Sequence, residues 1–274
     1  MIPGIGQLKL TQEGTTARLE LDHGKANEMG VAEIAAIEHL CAWLETGPAR
    51  ALVTFSRRRS AKGNPIFVAG ANVTERTAWT PEEVKAHVRR QRAALARLRR
   101  APVFHVVVVD GVALGWGTEF MLACDWRIAG PGARFALPET GIGILPGAGG
   151  ASELASVIGL PNALRLGMTG EQIDAREAHR IGLVDELAAD LDAGLARAGQ
   201  LAAMVARRSP TAVAAFKTAA LHAVGLPAEE RQAVEAAAYE HCVDTGEAAI
   251  GRAAFAAVTA GEEVPWGPFS HWRP

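Results

Sequence analysis

Two glutamates and a cluster of small residues mark where this chain could do chemistry. Gly115 and Gly117 flank Trp116 at the start of a helix expected to run through Met121, Leu122 and Cys124. A helix N-terminus carries unpaired N–H groups and the positive end of the backbone dipole, so it can hold a developing negative oxygen. Glu119 falls in the first turn of that helix. Glu139 follows in the turn Leu137-Pro138-Glu139-Thr140-Gly141. Taken singly, Glu119 reads equally as a carboxylate complementing the dipole, and Glu139 as a solvated turn residue. Together, bracketing an oxyanion site, they suit general acid/base work on a carbonyl compound.

Other chemistries lose ground. Val106 to Phe120 looks like a strand leading into a dinucleotide fingerprint. However, Phe120 stands where the third glycine belongs, and several residues separate the strand from Gly115. Leu145 to Ser152 is glycine-rich, but no Lys-Ser/Thr follows, so it is not a Walker A loop. There is no Gly-x-Ser-x-Gly elbow and no Ser-x-x-Lys pair. The 8 histidines show no metal-ligand spacing, so no metal is expected. His105, inside a valine run, reads as a core residue, and Cys124 as inert packing. Arg89, Arg90, Arg92, Arg97, Arg99 and Arg100 crowd one helix. They read either as a patch for phosphate or as the solvated face of a helix whose apolar side is Val84, Val88, Leu95 and Leu98. No aromatic side chains interleave as stacking platforms for RNA.

The elements that must position these residues alternate between strand and helix. Ala17 to Leu21 alternates with period two, and His23 to Asn27 breaks it. A helix follows with Ile34, Ile37, Cys41 and Leu44 on one face, ending near Gly47-Pro48. Ala51 to Phe55 is a buried strand, followed by a basic loop from Arg57 to Pro65. Thr80-Pro81-Glu82-Glu83 predicts a capped helix start, and that helix runs to about Arg100, before Pro102. Val103 to Val109 is a continuous apolar strand of the kind buried on both faces of a parallel sheet. The alternation continues through Leu187 and means α/β. After about Asp190 alanine dominates, and helices are expected over 190–207, 211–223, 227–243 and 245–260, the last capped by Thr245. The reading is an α/β core over 1–190 and a helical C-terminal subdomain over 191–274. No internal sequence repeat is visible.

Composition bounds the function. The chain has 274 residues, 49% hydrophobic and 21% charged, which excludes a disordered polymer. A chain this long buries roughly 75% of its unfolded surface without covalent staples. Its 3 cysteines, Cys41, Cys124 and Cys242, are odd in number and scattered, which points to a reducing compartment. A formal charge of −2 gives no general attraction to nucleic acid or anionic membrane. Met1 to Gly6 lacks the basic start of a secretory signal, and no run approaches the ~18 apolar residues of a membrane span. The expected location is cytoplasmic.

Read together, four stretches resemble the crotonase (enoyl-CoA hydratase/isomerase) superfamily. They are Leu21 to Asn27, Phe67-Val68-Ala69-Gly70-Ala71-Asn72, Asp110 to Asp125, and Phe135 to Gly150. Met168 to Glu171 and Gly182 to Val184 are also similar. The resemblance extends to about residue 257. It implies a spiral of repeated ββα units followed by C-terminal helices, assembled as a homotrimer or dimer of trimers. It implies a thioester enolate held by the backbone N–H groups of Ala71 and Trp116, with Glu119 and Glu139 managing the protons. The same resemblance has Gly147 N–H positioning a water and places Lys25, Ala26, Ala69, Lys62 and Pro138 at the acyl-CoA. It implies no separate cofactor, coenzyme A being part of the substrate. The reaction implied is hydration of a 2-enoyl-CoA. Isomerisation, hydrolysis and decarboxylation on the same scaffold remain open, as does a non-catalytic or RNA-binding role.

The chain departs from the family pattern in four places. Trp116 replaces the middle glycine of a triplet, so an indole borders the oxyanion site; if it lines the acyl path, short or flat acyl groups are favoured. Asn72 replaces an aspartate. The loop Arg57 to Asn64 is longer and more basic than usual. Val258 to Glu263 replaces a basic C-terminus, so a neighbouring subunit's contact with the CoA phosphate is either missing or supplied by Lys62 and Arg57–Arg59.

Overall fold

The computed structural model describes residues 8–274; the reading of Met1 to Gly6 lies outside them. The chain opens with a hairpin, β1 (Lys9–Glu13) and β2 (Thr16–Glu20), turning at Gly14 with φ +56°. β1 escaped the sequence reading because only Leu10 of its five residues is buried, so an edge strand leaves almost no apolar period. Helix α1 (Val31–Thr46) buries Ile34, Ile37, Cys41 and Leu44, as its spacing predicts. Strands β3 (Ala51–Phe55) and β4 (Ile66–Val68) follow. Helix α2 (Pro81–Arg99) has the predicted capping box. Thr80 Oγ1 accepts from Glu83 N at 3.3 Å, and Glu83 Oε2 accepts from Thr80 N at 2.7 Å. Then come β5 (Phe104–Val109), β6 (Val112–Leu114), α3 (Trp116–Leu122), β7 (Trp126–Ala129), β8 (Arg134–Ala136) and α4 (Gly150–Ile158). Next are α5 (Leu160–Thr169), β9 (Ile173–Asp174), α6 (Ala175–Arg180) and β10 (Glu186–Leu187). Five helices end the chain: α7 (Leu191–Ala206), α8 (Pro210–Ala223), α9 (Ala228–Asp244), α10 (Glu247–Ala253) and α11 (Phe255–Ala260).

The order β3-β4-α2, β5-β6-α3, β7-β8-α4 is the ββα spiral that the resemblance implies. First strands of each turn join a six-stranded sheet, β1-β2-β3-β5-β7-β10, parallel from β2 onward. Second strands join a four-stranded sheet, β4-β6-β8-β9, in which β4, β6 and β8 are parallel. The repeat is invisible in the letters because the three helices differ in length, at 19, 7 and 9 residues. The structural unit repeats while its residue spacing does not.

Strands β3 and β5 are buried on both faces. Leu52, Val107 and Val109 enter the core that includes α1 to α3. Val53, Val106 and Val108 face Leu195 and Ala198 of α7. Double burial explains their unbroken apolar runs. His105 lies within this layer with no exposure, its Nε2 2.8 Å from Thr54 Oγ1. Burial pulls its pKa down to about 3, so it is a neutral core residue, and burial pushes the Cys124 thiol well up. Lys217 of α8 donates to Asp125 Oδ2 at 2.7 Å and to Val103 O at 2.9 Å, tying the late helices to the foot of β5.

One expected helix proves to be two. The stretch 245–260 divides into α10 and α11, and Thr245 does not cap it. Gly246, at φ +84°, turns the chain between α9 and α10, while the Thr245 hydroxyl donates back to His241 O at 2.8 Å. The arginine helix is largely committed to the fold. Arg90 chelates Glu38 at 2.7 and 2.6 Å, Arg97 chelates Glu45 at 2.7 and 2.7 Å, and Arg99 pairs with Glu153. Two of these pairs join α2 to α1.

Helix α3 packs so tightly on β4 that a Cβ on Gly117 would lie 2.5 Å from Val68 O. Gly117→Ala should therefore lower stability by about 1–3 kcal/mol, the usual cost of overpacking. Urea unfolding should show a lower midpoint at unchanged slope. A midpoint equal to wild type would contradict this packing.

Candidate active site

The turn from β6 into α3 sets the site. Gly115 sits at φ +51° and ψ −115°, a conformation that L side chains rarely adopt. Its N–H donates to Ala136 O at 2.8 Å, and a Cβ there would lie 2.5 Å from Glu139 Oε1. Glycine thus permits the turn and brings Glu139 against the start of α3. On the opposite side, Gly70 at φ +115° precedes Ala71. Met29 N donates to Gly70 O at 3.0 Å and Asn72 N to Met29 O at 2.9 Å, a bridge that leaves the Ala71 N–H out of the pairing. Among the described residues neither Ala71 N–H nor Trp116 N–H is donated to a protein acceptor. Both residues line one cavity of ≈ 480 Å³, together with Glu119, Glu139 and Gly147.

The two carboxyls have different surroundings. Glu119 is 4% exposed, and its Oε1 accepts from Ala148 N at 2.7 Å and Gly150 N at 2.9 Å. Burial raises its pKa, while those two donors and Arg92 favour the ionised form. Glu139 lies in the 3-10 turn Pro138–Ile142, half-buried, with Oε2 free of any partner among the described residues. Burial, aided by the negative charge of Glu119 and opposed by its own backbone N–H, raises it to about 7. One carboxyl is thus held by donors and the other is poised to keep its proton.

A carboxyl pair beside two N–H groups without a protein acceptor among the described residues can serve acid/base chemistry next to an oxyanion. The description enoyl-CoA hydratase/isomerase belongs to a family model that matches residues 60–259. The chain belongs to that family. A relative in Arabidopsis thaliana, "Probable enoyl-CoA hydratase 2, mitochondrial", is 35% identical over 193 residues, covering 70% of this chain and 63% of that protein, so the match spans under two thirds of its length. The human protein named enoyl-CoA hydratase domain-containing protein 2, mitochondrial, is 35% identical over 201 residues, covering 72% of this chain and 68% of its own. The solved enoyl-CoA hydratase of Bacillus anthracis superposes with a TM-score of 0.85 at 27% identity, over 94% of this chain and 98% of that one.

Against this crotonase frame, the other sequence-derived residues fall in two groups. Ala26 O accepts from Ala69 N at 3.1 Å, joining the early loop to the segment that carries Ala71. Lys25, Lys62 and Pro138 are exposed on loops, and none of these five residues lines the cavity. In the basic loop, Arg57 pairs with Asp192, Arg58 binds Asp22 and Gly24 O, and Arg59 donates to Gly63 O at 2.8 Å. Gly147 lines the cavity, beside the loop whose Ala148 and Gly150 N–H groups bind Glu119. The Gly147 carbonyl accepts from Arg92 Nε at 2.8 Å.

Several residues that shape the site were not assigned a place in it by the sequence. Asn27, at φ +55° and fully buried, holds the early loop. Its Oδ1 accepts from His23 N at 2.9 Å, and its Nδ2 faces Leu21 O, Ser56 Oγ and Phe67 O. Val84 and Val88, read as core, line the cavity with Gln91 and Arg92, whereas Leu95 and Leu98 are core. The spacing Val84, Val88, Gln91 marks one helical face, a signal present in the sequence. The Trp116 indole is 2% exposed and packs on Phe120 with centroids 5.5 Å apart, while also lining the cavity. Trp116→Gly would consequently open the core as well as the pocket, at about 3–5 kcal/mol.

Glu139 also links the site to stability. Its folded-state pKa exceeds the model-compound value of 4.5, so the stability it contributes is complete below about pH 4.5 and is lost as pH rises through about 7. Glu139→Gln should therefore be more stable than wild type at pH 8 and not at pH 4.5. Solvent screening of a half-buried group keeps the gain to about 1–2 kcal/mol. Denaturant titrations at both pH values measure it. An equal difference at both would contradict a raised Glu139.

Proposed function

We propose that this chain is a 2-enoyl-CoA hydratase that adds water across the conjugated double bond of an acyl-CoA thioester. One observation supports this above all: two carboxyls, Glu119 held by two backbone donors and Glu139 raised by burial, share a cavity with two backbone N–H groups that have no protein acceptor among the described residues. The thioester oxygen accepts from Ala71 and Trp116. Fixed donors of this kind are each typically worth ~3–4 kcal/mol to an oxyanion transition state. Ionised Glu119, held by Ala148 and Gly150, takes a proton from water, aided by the Gly147 N–H, while the water oxygen bonds to Cβ. The electron pair moves to the thioester oxygen, forming the enolate. Protonated Glu139 then gives its proton to Cα, and proton exchange with solvent restores both carboxyls. Isomerisation and decarboxylation share the enolate, and thioester hydrolysis would put a tetrahedral oxyanion on the same two donors; a second carboxyl in the cavity supports hydration over a one-base isomerisation.

Coenzyme A enters as part of the substrate, and the scheme uses only the chain's own groups. Lys25, Ala26, Ala69, Lys62 and Pro138 are proposed to meet the CoA portion from outside the cavity. Assembly as a homotrimer or dimer of trimers is supported by apolar side chains left exposed, among them Leu164 and Met168 on α5 and Phe216, Tyr239 and Phe255 on the late helices. Among the described residues no helix is long and apolar enough to cross a membrane. The 3 free cysteines, two of them buried, support a reducing and hence cytoplasmic setting.

Glu119→Gln and Glu139→Gln should each cut hydration of crotonyl-CoA by about two to four orders of magnitude, the range for losing general acid/base help. Mass spectrometry across a thioester panel separates the reactions, a gain of one water marking hydration and free CoA marking hydrolysis. Full activity of Glu139→Gln would defeat the two-carboxyl scheme. In wild type, kcat/KM should fall as pH rises past about 7, because the form that must donate the proton disappears. A profile flat from pH 6 to 9 would remove Glu139 as the acid.

Sedimentation should give a trimer or hexamer at micromolar concentration; a stable monomer would overturn the proposed assembly.

A further inference from the structure

The cavity also carries polar groups that hydration does not use. Arg76 closes the 3-10 turn Thr74–Arg76, while Gln91 lies on α2 and Trp116 on α3; all three line the cavity. Gln91 is 3% exposed and Trp116 2%. The Gln91 Oε1 accepts from Arg76 Nη2 at 3.4 Å. A guanidinium has no acceptor, so this contact turns the amide oxygen toward Arg76 and leaves Nε2 as a spare donor. Gln91 Nε2, Trp116 Nε1 and Arg76 Nε are each buried without a partner among the described residues. The adjacent acid, Glu75, makes no hydrogen bond to them and accepts from Val31 N at 3.0 Å.

Three unfilled groups, all donors and one a cation, call for an anionic acceptor. Buried donors left unpaired are costly, and a plain hydrocarbon tail would leave them so. We infer that the acyl group of the preferred substrate carries a second, terminal carboxylate, bound at the buried end of the cavity by Arg76, Gln91 and the Trp116 indole N–H. This rests on the enoyl-CoA reading above. Lys85 and Arg89 also line the cavity but are exposed, which suits hydrated phosphates better than the buried Gln91 and Trp116 donors and the buried Arg76 Nε do. The indole then selects for polarity at the far end of the acyl chain rather than for flatness alone.

Calorimetry on the intact chain tests this with two unreactive ligands, adipyl-CoA and hexanoyl-CoA, which differ only in the terminal carboxylate. Adipyl-CoA should bind at least about tenfold more tightly, as charge-assisted hydrogen bonds allow. Arg76→Met should bring the affinity ratio close to one, and Arg76→Lys should restore part of it. Gln91→Leu, which keeps the buried site filled, should lower the ratio about three- to tenfold. Equal affinities in wild type would overturn the inference. So would an Arg76→Met variant that weakens free CoA as much as adipyl-CoA, since Arg76 would then hold a CoA phosphate. Because neither ligand turns over, this result is independent of hydration. Mass spectrometry with hex-2-enedioyl-CoA and hex-2-enoyl-CoA then tests the reaction. Hydration without an adipyl preference sinks only the inference; an adipyl preference without water addition to either substrate sinks only the hydratase reading.

Discussion

The site depends on one close approach, that of the Glu139 carboxyl to the backbone of Gly115. Any side chain there would occupy the space of Oε1, and the positive φ excludes most side chains independently. The same turn starts α3, and so sets both the Trp116 N–H and, one helical turn on, Glu119. Gly150 repeats the device. A Cβ there would press on Pro146 and on Glu119 Oε1, and without one its N–H reaches the carboxylate. The groups of the candidate site are thus held by backbone, which has fewer ways to relax than side chains do. Fixed donors of this kind hold charge without reorganising.

Gathering two carboxyls in a half-closed cavity opposes folding, and the surrounding structure offsets it. Strands β3 and β5 are buried on both faces, and parallel pairing carries their order from β2 to β10. Helix α2, which forms a cavity wall with Val84 and Val88, is anchored to α1 by the Arg90–Glu38 and Arg97–Glu45 pairs. Both pairs are partly exposed, so each adds little energy, but bidentate geometry fixes how the two helices lie. Arg92 continues that wall by holding the Gly147 carbonyl, and thereby the loop whose N–H groups support Glu119. The arginine run is best understood as an orienting device for the site wall.

Much of this was legible in the residues. Thr80-Pro81-Glu82-Glu83 is a local signal, because cap, first-turn proline and box partner are neighbours in sequence, and the helix begins there. Ala51 to Phe55 was legible because burial on both faces leaves no polar position to confuse the period. Glu119 and Glu139 stood out as a pair only beside a glycine-rich helix start. Strand β1 did not show, since four of its five side chains face solvent and its place comes from pairing with β2. The late break at Gly246 was hidden by an alanine-rich stretch with good helix propensity on both sides.

By itself the sequence determined the alternation of strands and helices, the helix start with its flanking glycines, and the presence of two carboxyls chemically suited to acid/base work. These depend on periodicity, caps and residue chemistry, which act over a few neighbours. Only the tertiary structure decided that Ala71 and Trp116 share a cavity, that the Ala148 and Gly150 N–H groups hold Glu119, and that burial sets Glu139 at about 7. It alone also placed Arg76, Gln91 and the indole together with their donors unfilled. Solvation, and the hydrogen-bond partners left over when chain segments meet, depend on distances between residues far apart in sequence. No local pattern encodes them.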